Sequence, residues 1–256
     1  MKSLRQLQTP KKTFEETPVQ LRKSIVEEID NHLSLRNVSK FKQVQGFHPS
    51  YTNQCARYWY YLFNGVDVTT SFSSQTYRIF DNGHAVHDRL YSYFREMGVL
   101  VAEEIPVKYD SPPIEGTADG IIDWDGNKLI ELKSISSEGF HYRQLHNKPK
   151  DEHYRQAQIY MECLNLDSGY VIYENKNNHE LLVIPVEVND HYRAWIDMAF
   201  QWMREVRKAW EDKTLPTKNY RSNSKICKNC PIKKACGEAG VGVVKIASLE
   251  ELSEVM

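Results

Sequence analysis

Residues 116–133 read GTADGIIDWDGNKLIELK, and this segment decides the fold. Two runs with strand-like alternation flank a turn at 124–127, so the segment is predicted to form a β-hairpin. Because side chains alternate along a strand, Glu131 and Lys133 point to the same face. The hairpin can then bring Asp119, on the first strand, beside Glu131 on the second.

Two adjacent carboxylates repel each other and are stable together mainly when a cation lies between them. Mg²⁺ and Mn²⁺ prefer oxygen ligands, so Asp119 and Glu131 are candidate metal ligands. The Lys133 ammonium beside them can orient a nucleophilic water and offset the charge that develops on a phosphate. The alternative is that Glu131 and Lys133 form the charged outer face of an edge strand, but the apolar neighbours of Glu131 favour a buried position in the sheet.

Helices and strands are predicted on both sides of the hairpin from the spacing of apolar residues. The predicted helices cover 15–37, 51–63, 81–98, 150–164 and a stretch from 189 to Pro216. The predicted strands cover 101–109, 116–124, 128–134, 169–174 and 180–188, and 136–150 is interpreted as a polar connection. The middle of the chain therefore has the order α-β-β-β-α-β-β. This order predicts an α/β fold with a mixed central sheet flanked by helices, plus helical segments at both ends.

The composition is typical of a globular protein, whereas the charge is distributed unevenly. The 256 residues carry 33 Lys and Arg against 34 Asp and Glu, which gives a net charge of −1. By segment, the net charge is +4 over 1–48, −9 over 49–200, +7 over 201–236 and −3 over 237–256. An acidic middle with basic flanks suits a site that holds cations and a rim that attracts a polyanion. Without a membrane-spanning apolar run or a signal peptide, we expect a soluble cytoplasmic protein with no membrane partner.

Asp119, followed by the tripeptide Glu131-Leu132-Lys133, resembles the active-site motif of the PD-(D/E)XK nuclease superfamily. The superfamily fold implies an αβββαβ core, which is the order already predicted from the sequence. The proline of the family's name is missing, since Ala118 precedes Asp119, and members of the RecB-like branch vary at that position. The resemblance implies that Asp119 and Glu131 bind the metal, that the Leu132 carbonyl completes its ligand shell, and that Lys133 is the catalytic lysine.

Two further motifs are similar to those of RecB-like exonucleases. The segment 83–87 (GHAVH) matches G-x-x-x-H, which implies that His87 is a further metal ligand, and His84 is the alternative. Gln156 and Tyr160 match Q-x-x-x-Y and share a helix face because they are four positions apart. They are candidates to contact a phosphate or to brace the metal site. Taken alone, this motif is better explained by a polar pair on a surface helix.

Cys227, Cys230 and Cys236 form the pattern C-x₂-C-x₅-C, and Cys55 is the candidate fourth ligand. Four thiolates can hold a tetrahedral zinc or a [4Fe–4S] cluster, and the spacing does not decide between them. One distant Cys followed by a C-terminal triplet resembles the iron–sulfur exonucleases of the superfamily, which include the CRISPR-associated adaptation exonucleases and the AddB nuclease domain. The resemblance implies a structural [4Fe–4S] cluster. Cys163 is expected to be a small apolar core residue.

Two regions rich in basic residues, the first also rich in aromatic ones, predict contact with a nucleic acid. The first, near the predicted active centre, comprises His141, Tyr142, Arg143, His146, Lys148, Lys150, His153, Tyr154 and Arg155. The second, around the cysteine triplet, comprises Arg204, Arg207, Lys208, Lys213, Lys218, Arg221, Lys225, Lys228, Lys233 and Lys234. Such a mixture suits single-stranded DNA without strong sequence preference, and the alternative is an ordinary charged surface.

The motifs together predict a nuclease domain over 49–236, a helical extension over 1–48 and a C-terminal tail over 237–256. The resemblance implies a metal-dependent DNA exonuclease that hydrolyses phosphodiester bonds at single-stranded ends, with 5′ to 3′ polarity by family analogy. The alternatives are an endonuclease, a flap or recombination nuclease of the same fold, a non-catalytic cluster-bearing DNA-binding subunit, and a zinc-ribbon interaction module. The motifs are compatible with a homo-oligomer and with an accessory role in DNA processing.

Overall fold

The structure, a computed structural model, describes residues 18–51 and 55–253, and side chains from residue 25 onward. The helices are α1 (Pro18–Ser34), α2 (Ala56–Asn64), α3 (Ser74–Glu96), α4 (Ser137–His146), α5 (Asp151–Leu164), α6 (Asp190–Glu211), α7 (Lys225–Lys228), α8 (Lys233–Glu238) and α9 (Leu249–Ser253). The strands are β1 (Ser39–Lys42), β2 (Val66–Thr69), β3 (Leu100–Asp110), β4 (Pro113–Asp123), β5 (Asn127–Ile135), β6 (Ser168–Asn175) and β7 (Leu181–Glu187). Within the described residues, none of the helices combines the length and apolar character that a membrane crossing requires.

A mixed five-stranded sheet, in the order β3-β4-β5-β6-β7, forms the centre of the fold. The strands β3, β4 and β5 form an antiparallel meander, β6 is parallel to β5, and β7 is antiparallel to β6. A parallel pair needs a crossover connection, which α4 and α5 supply between β5 and β6. The predicted α/β fold with a mixed sheet flanked by helices is confirmed. A separate two-stranded antiparallel sheet joins β1 to β2.

The two faces of the sheet pack against different hydrophobic clusters. The smaller cluster joins α3 to Ile130 and Leu132 of β5. The larger cluster contains residues of α2, α5 and α6 together with Leu129 of β5. Since Leu129 faces the larger cluster, the odd positions of β5, including 131 and 133, lie on the α5 side of the sheet.

The buried side of β4 changes near residue 119. Ala118 packs in the larger cluster, whereas Ile122, four residues later, packs in the smaller one. Regular alternation would place these two residues on the same face. Glu104 of the neighbouring strand β3 has a positive φ of 48°, so β3 is irregular next to the same point. The simple alternation assumed for the hairpin therefore fails at Asp119.

Two helices differ from their predicted bounds. The helix predicted to start at Asp81 or Asn82 begins at Ser74 instead, because the Ser73 side chain accepts a hydrogen bond from the backbone N–H of Thr76 and caps it. The predicted polar connection 136–150 contains α4. Only Phe140 of α4 is buried, so its apolar pattern is too sparse to indicate a helix.

The N-terminal predictions are confirmed in part. The helix predicted over 15–37 is present as α1, its predicted residues 15–17 lying outside the described residues. Of its predicted apolar stripe, Leu33 is buried while Ile25 and Ile29 are exposed. Cys55 is the N-cap residue that precedes α2. The prediction over 51–63, which placed Cys55 inside a helix, is therefore wrong at this residue. Residues 52–54 of that prediction are also outside the described residues.

Segments on both sides of the predicted domain boundaries pack into the larger cluster. Phe47 contacts Trp59 with ring centroids 5.0 Å apart, and Leu249 of α9 is buried in the same cluster. The domain boundaries themselves stay predictions.

Arg57 joins the N-terminal part of the fold to the C-terminal segment. Its side chain is completely buried on α2, and its guanidinium donates hydrogen bonds to the backbone carbonyls of Ala239, Gly240 and Val241. Because a buried guanidinium without acceptors is unfavourable, these bonds fix the C-terminal segment against α2.

We expect Arg57→Ala to lower the free energy of unfolding by about 3 kcal/mol, since it removes a buried side chain together with its three charge-assisted hydrogen bonds. Arg95→Ala is the matched control because Arg95 forms an exposed ion pair with Glu103, and we expect it to change stability by less than about 1 kcal/mol. Urea unfolding of both variants measures the difference. Equal losses in the two variants would contradict the role given to Arg57.

Candidate active site

The hydrogen-bonded ladder between β4 and β5 ends at the pair Gly120 and Ile130, and the Asp119 side chain continues the connection. Its Oδ2 accepts a hydrogen bond of 2.7 Å from the backbone N–H of Leu132. On the other side, the Tyr91 hydroxyl of α3 donates to the Asp119 carbonyl at 2.7 Å. Asp119 is therefore held at two points, and its carboxylate is oriented by the backbone of β5.

Two glycines flank Asp119 where neighbouring atoms leave no space for a Cβ. A Cβ on Gly120 would lie 2.7 Å from the carbonyl oxygen of Ala102 in β3. A Cβ on Gly116 would lie 2.6 Å from the Tyr160 hydroxyl of α5. The two glycines thus allow β3 and α5 to approach the residues around the carboxylate closely.

Glu131 is completely buried, and its carboxylate forms an ion pair with Lys133. Apart from this ion pair, neither oxygen of Glu131 has a hydrogen-bond partner among the described residues. Burial raises the pKa of Glu131 well above its ordinary value, Lys133 opposes this change, and Asp119 adds to it. Burial alone would lower the pKa of Lys133, but Glu131 and Asp119 outweigh burial, so that pKa is raised. A buried carboxylate without hydrogen bonds needs a cation.

His87 of α3 lies beside both the Leu132 carbonyl and Asp119. Its Nε2 is 3.0 Å from the Leu132 carbonyl oxygen, and its Nδ1 is 3.9 Å from Oδ1 of Asp119. At 3.0 Å the imidazole and this carbonyl are within hydrogen-bond distance, so ligation of a metal by His87 stays a prediction. The alternative candidate, His84, is exposed on α3.

The candidate ligands are close together without forming a ready-made metal site. Within the described residues, no three His, Cys, Asp or Glu side chains are grouped closely enough to hold a metal ion. The Lys133 ammonium supplies the positive charge here, because it is paired with Glu131 and lies 4.0 Å from Oδ2 of Asp119. Metal binding at these residues stays a prediction.

Of the predicted pair on α5, Tyr160 lies at the site. Its hydroxyl is next to Gly116, and burial, followed by the charges of Glu131 and Asp119, raises its pKa. Gln156 is buried one turn earlier on α5. No hydrogen bond in the described part of the chain joins Gln156 to the carboxylates.

The sequence analysis missed Tyr173, which extends the site along β6. The parallel register of β5 and β6 places Tyr173 opposite Lys133. The Tyr173 hydroxyl accepts a hydrogen bond of 2.9 Å from the Lys150 backbone N–H and lies 2.9 Å from Nδ1 of His153. Burial, followed by the charge of Lys133, lowers the pKa of His153 to about 3, so this imidazole is neutral. The parallel register of β5 and β6 would have indicated Tyr173. That register cannot be predicted from the sequence, because a long crossover separates the two strands.

The structure places the four predicted cysteine ligands around a single cavity of about 360 Å³. The cavity lies between the N-terminus of α2 and the segment of α7 and α8, and its lining includes Cys55, Cys227, Cys230 and Cys236. Burial, and then the neighbouring thiols, raise the pKa of Cys55 to about 11. Cys163 does not line this cavity and packs against the larger hydrophobic cluster. The four thiols thus line one cavity, whereas within the described residues no three of them are grouped closely enough to hold a metal, and ligation stays a prediction.

Comparison with known proteins finds only distant structural likeness. No protein-family model matches the chain, and no curated protein matches it. An alkaline exonuclease (LHK-Exo) from Laribacter hongkongensis aligns at 17% identity over 73% of this chain and 95% of its own, with a TM-score of 0.47. The crystal structure of SSO0001 aligns at 18% identity over 86% of this chain and 98% of its own, with a TM-score of 0.45. At these values, neither likeness assigns a family or an activity to the chain.

We expect Asp119→Ala to lower the free energy of unfolding by about 2 kcal/mol, because the Leu132 N–H loses its acceptor. Asp119→Asn keeps a carbonyl oxygen of the same size in that place and removes a repulsive charge near Glu131. Its stability should therefore stay within about 1 kcal/mol of the wild type. Urea unfolding distinguishes the two variants, and equal destabilisation would show that the hydrogen bond to Leu132 contributes little.

Proposed function

We propose that this chain is a metal-dependent DNA exonuclease of the RecB-like branch of the PD-(D/E)XK superfamily. The observation that carries the proposal is the convergence of Asp119, Glu131 and Lys133 where the β4–β5 ladder ends, with Glu131 completely buried. The order of α3, three antiparallel strands, a helical crossover and a parallel strand supports it, since it corresponds to the αβββαβ core of that superfamily.

Asp119, Glu131, His87 and the Leu132 carbonyl are the groups that would hold Mg²⁺ or Mn²⁺. Carboxylate and carbonyl oxygens with one imidazole suit these ions. The complete burial of Glu131, whose oxygens have no described partner beyond Lys133, supports this assignment. When bound, the metal would polarise the phosphate and lower the pKa of a water molecule.

The side chains around the carboxylates have complementary tasks in phosphodiester hydrolysis. Lys133 offers three N–H donors, which can orient the attacking water and offset charge on the phosphate. The Leu132 N–H and the Tyr91 hydroxyl keep Asp119 in one orientation while the phosphate changes its charge. Tyr160, with its raised pKa, stays protonated, and its almost complete burial suits bracing the carboxylates from α5.

The proposed substrate is a single-stranded DNA end, cut without strong sequence preference. The basic and aromatic residues of α4 and α5 support this choice, because they lie on the crossover that the Lys150 backbone N–H and the His153 ring join to Tyr173, opposite Lys133. The 5′ to 3′ polarity rests on the family resemblance alone.

We propose that the cysteine cavity holds a structural [4Fe–4S] cluster, with zinc as the alternative occupant. All four donors are soft thiolates, which suit both groups. Their convergence from two distant parts of the chain supports a structural role, because ligation there would tie α2 to the C-terminal segment.

The nuclease proposal is tested with Glu131→Gln, which keeps the size of the side chain and removes its charge. We expect the wild type to degrade end-labelled DNA with Mg²⁺ or Mn²⁺ and not with EDTA, and Glu131→Gln to lower the rate at least about a hundredfold. Glu103→Gln, at an exposed position of β3, is the matched control and should keep full activity. Activity that survives Glu131→Gln or EDTA would refute the mechanism, and cleavage of circular single strands would refute strict exonuclease action.

The cluster proposal is tested by anaerobic purification of Cys227→Ser and Cys163→Ser. We expect the wild type and Cys163→Ser to contain iron and sulfide and to absorb visible light, and Cys227→Ser to lose both properties. The Cys163 variant controls for the loss of a thiol outside the cavity. A colourless wild type with one equivalent of zinc would favour the alternative occupant.

A further inference from the structure

A groove of about 1000 Å³ lies outside the carboxylate site, between the α4–α5 region and α7. Its basic lining residues come from distant parts of the sequence and are Arg143, His146, Lys148, Lys150, Arg155 and Lys225. The groove is therefore formed only when the C-terminal segment packs against the crossover helices. Its volume is at the upper end of the range of about 300–1,000 Å³ found for small-molecule pockets, which suits an extended ligand.

The acidic residues of the groove are already engaged. Their partners are Lys148 for Asp151, Lys150 for Glu152 and the Tyr220 hydroxyl for Glu250. Within the described part of the chain, no ion pair joins Arg143, Arg155 or Lys225 to a carboxylate. Since Glu250 accepts only a neutral hydroxyl and keeps its charge, these three cations leave the groove with a smaller but positive net charge that an anionic ligand can neutralise.

Aromatic and apolar side chains of α4 are exposed beside these cations. The Tyr142 side chain is 54% exposed, and its ring centroid lies 4.3 Å from that of His146. The Arg143 guanidinium lies 4.7 Å from the centre of the Tyr142 ring. Leu145, on the same helix, is 80% exposed. Exposed rings next to cations form the kind of surface on which nucleic-acid bases stack.

The groove is connected to the candidate active site and to the cysteine cavity. Lys150 lines the groove, and its backbone N–H donates to Tyr173, which lies opposite Lys133 on the neighbouring strand. At the other wall, Lys225 belongs to the same four-residue helix as Cys227. The position of α7 therefore sets the width of the groove.

We infer that this groove binds single-stranded nucleic acid and leads the strand toward the carboxylate site. This inference rests on the proposed function, which it deepens by assigning strand binding to Tyr142 and Lys225. Free bases can stack on Tyr142 while the phosphates contact Arg143, Arg155 and Lys225. An acidic protein segment would satisfy the cations but would leave the exposed rings without a matching surface.

The test measures binding of a fluorescent single-stranded oligonucleotide by anisotropy in EDTA, so that binding does not depend on cleavage. We expect Lys225→Glu and Tyr142→Ala each to weaken binding about tenfold. Tyr142→Phe keeps the ring and should bind like the wild type. Lys40→Glu makes the same charge change at an exposed position of β1 and should also bind like the wild type. An acidic residue in the first turn of α7 is compatible with the helix, and thermal unfolding verifies that each variant is folded.

Hydrolysis of the small diester bis(p-nitrophenyl) phosphate, which does not reach the groove, separates the two proposals. We expect both groove variants to hydrolyse it at the wild-type rate while their KM for the oligonucleotide rises. If the wild type cleaves nothing but both variants bind the oligonucleotide more weakly, the groove proposal is supported and the nuclease proposal is refuted. Metal-dependent cleavage with unchanged strand binding in both variants would overturn the groove. Equal competition by duplex DNA or by polyglutamate would also overturn it, in favour of a general anion site.

Discussion

The hydrogen bond from the Leu132 N–H to the Asp119 carboxylate is the interaction on which the rest of the site depends. It takes the place of a backbone pair in the ladder, so the same atoms connect two strands and orient a carboxylate. The neighbouring Leu132 carbonyl is thereby directed toward His87 of α3. The sheet and the candidate ligands cannot move independently, which is the rigidity that a site for phosphate chemistry requires.

Glu131 shows the cost of this arrangement. A carboxylate without hydrogen bonds in the interior is unfavourable. Lys133 offsets the charge of Glu131, but its ammonium must then lie beside the buried carboxylate. The fold tolerates this pair because Ile130 and Leu132, on the opposite face of β5, pack against α3. Apolar packing on both faces of β5, by Leu129 on one side and by Ile130 and Leu132 on the other, thus supports a charge arrangement suited to chemistry.

The local features of the site could be predicted from the sequence, and the long-range ones could not. A short hairpin brings Asp119 beside Glu131 and Lys133, because its register follows from a turn of a few residues. The change of buried face between Ala118 and Ile122 depends on the irregular neighbouring strand and has no signal within β4 itself. The place of Tyr173 opposite Lys133 depends on a parallel register set by two crossover helices, one of which was not expected. The metal and cluster occupancies follow from residue chemistry and stay predictions.

The cysteine cavity also has a consequence for the order of events during synthesis. Cys55 emerges from the ribosome early, whereas its three partners, and the carbonyls that Arg57 binds, lie at 227–241. The cavity cannot close until that late segment has been made and has packed back against α2. Any ion or cluster that all four thiols hold is therefore completed only after residue 236 has been synthesised.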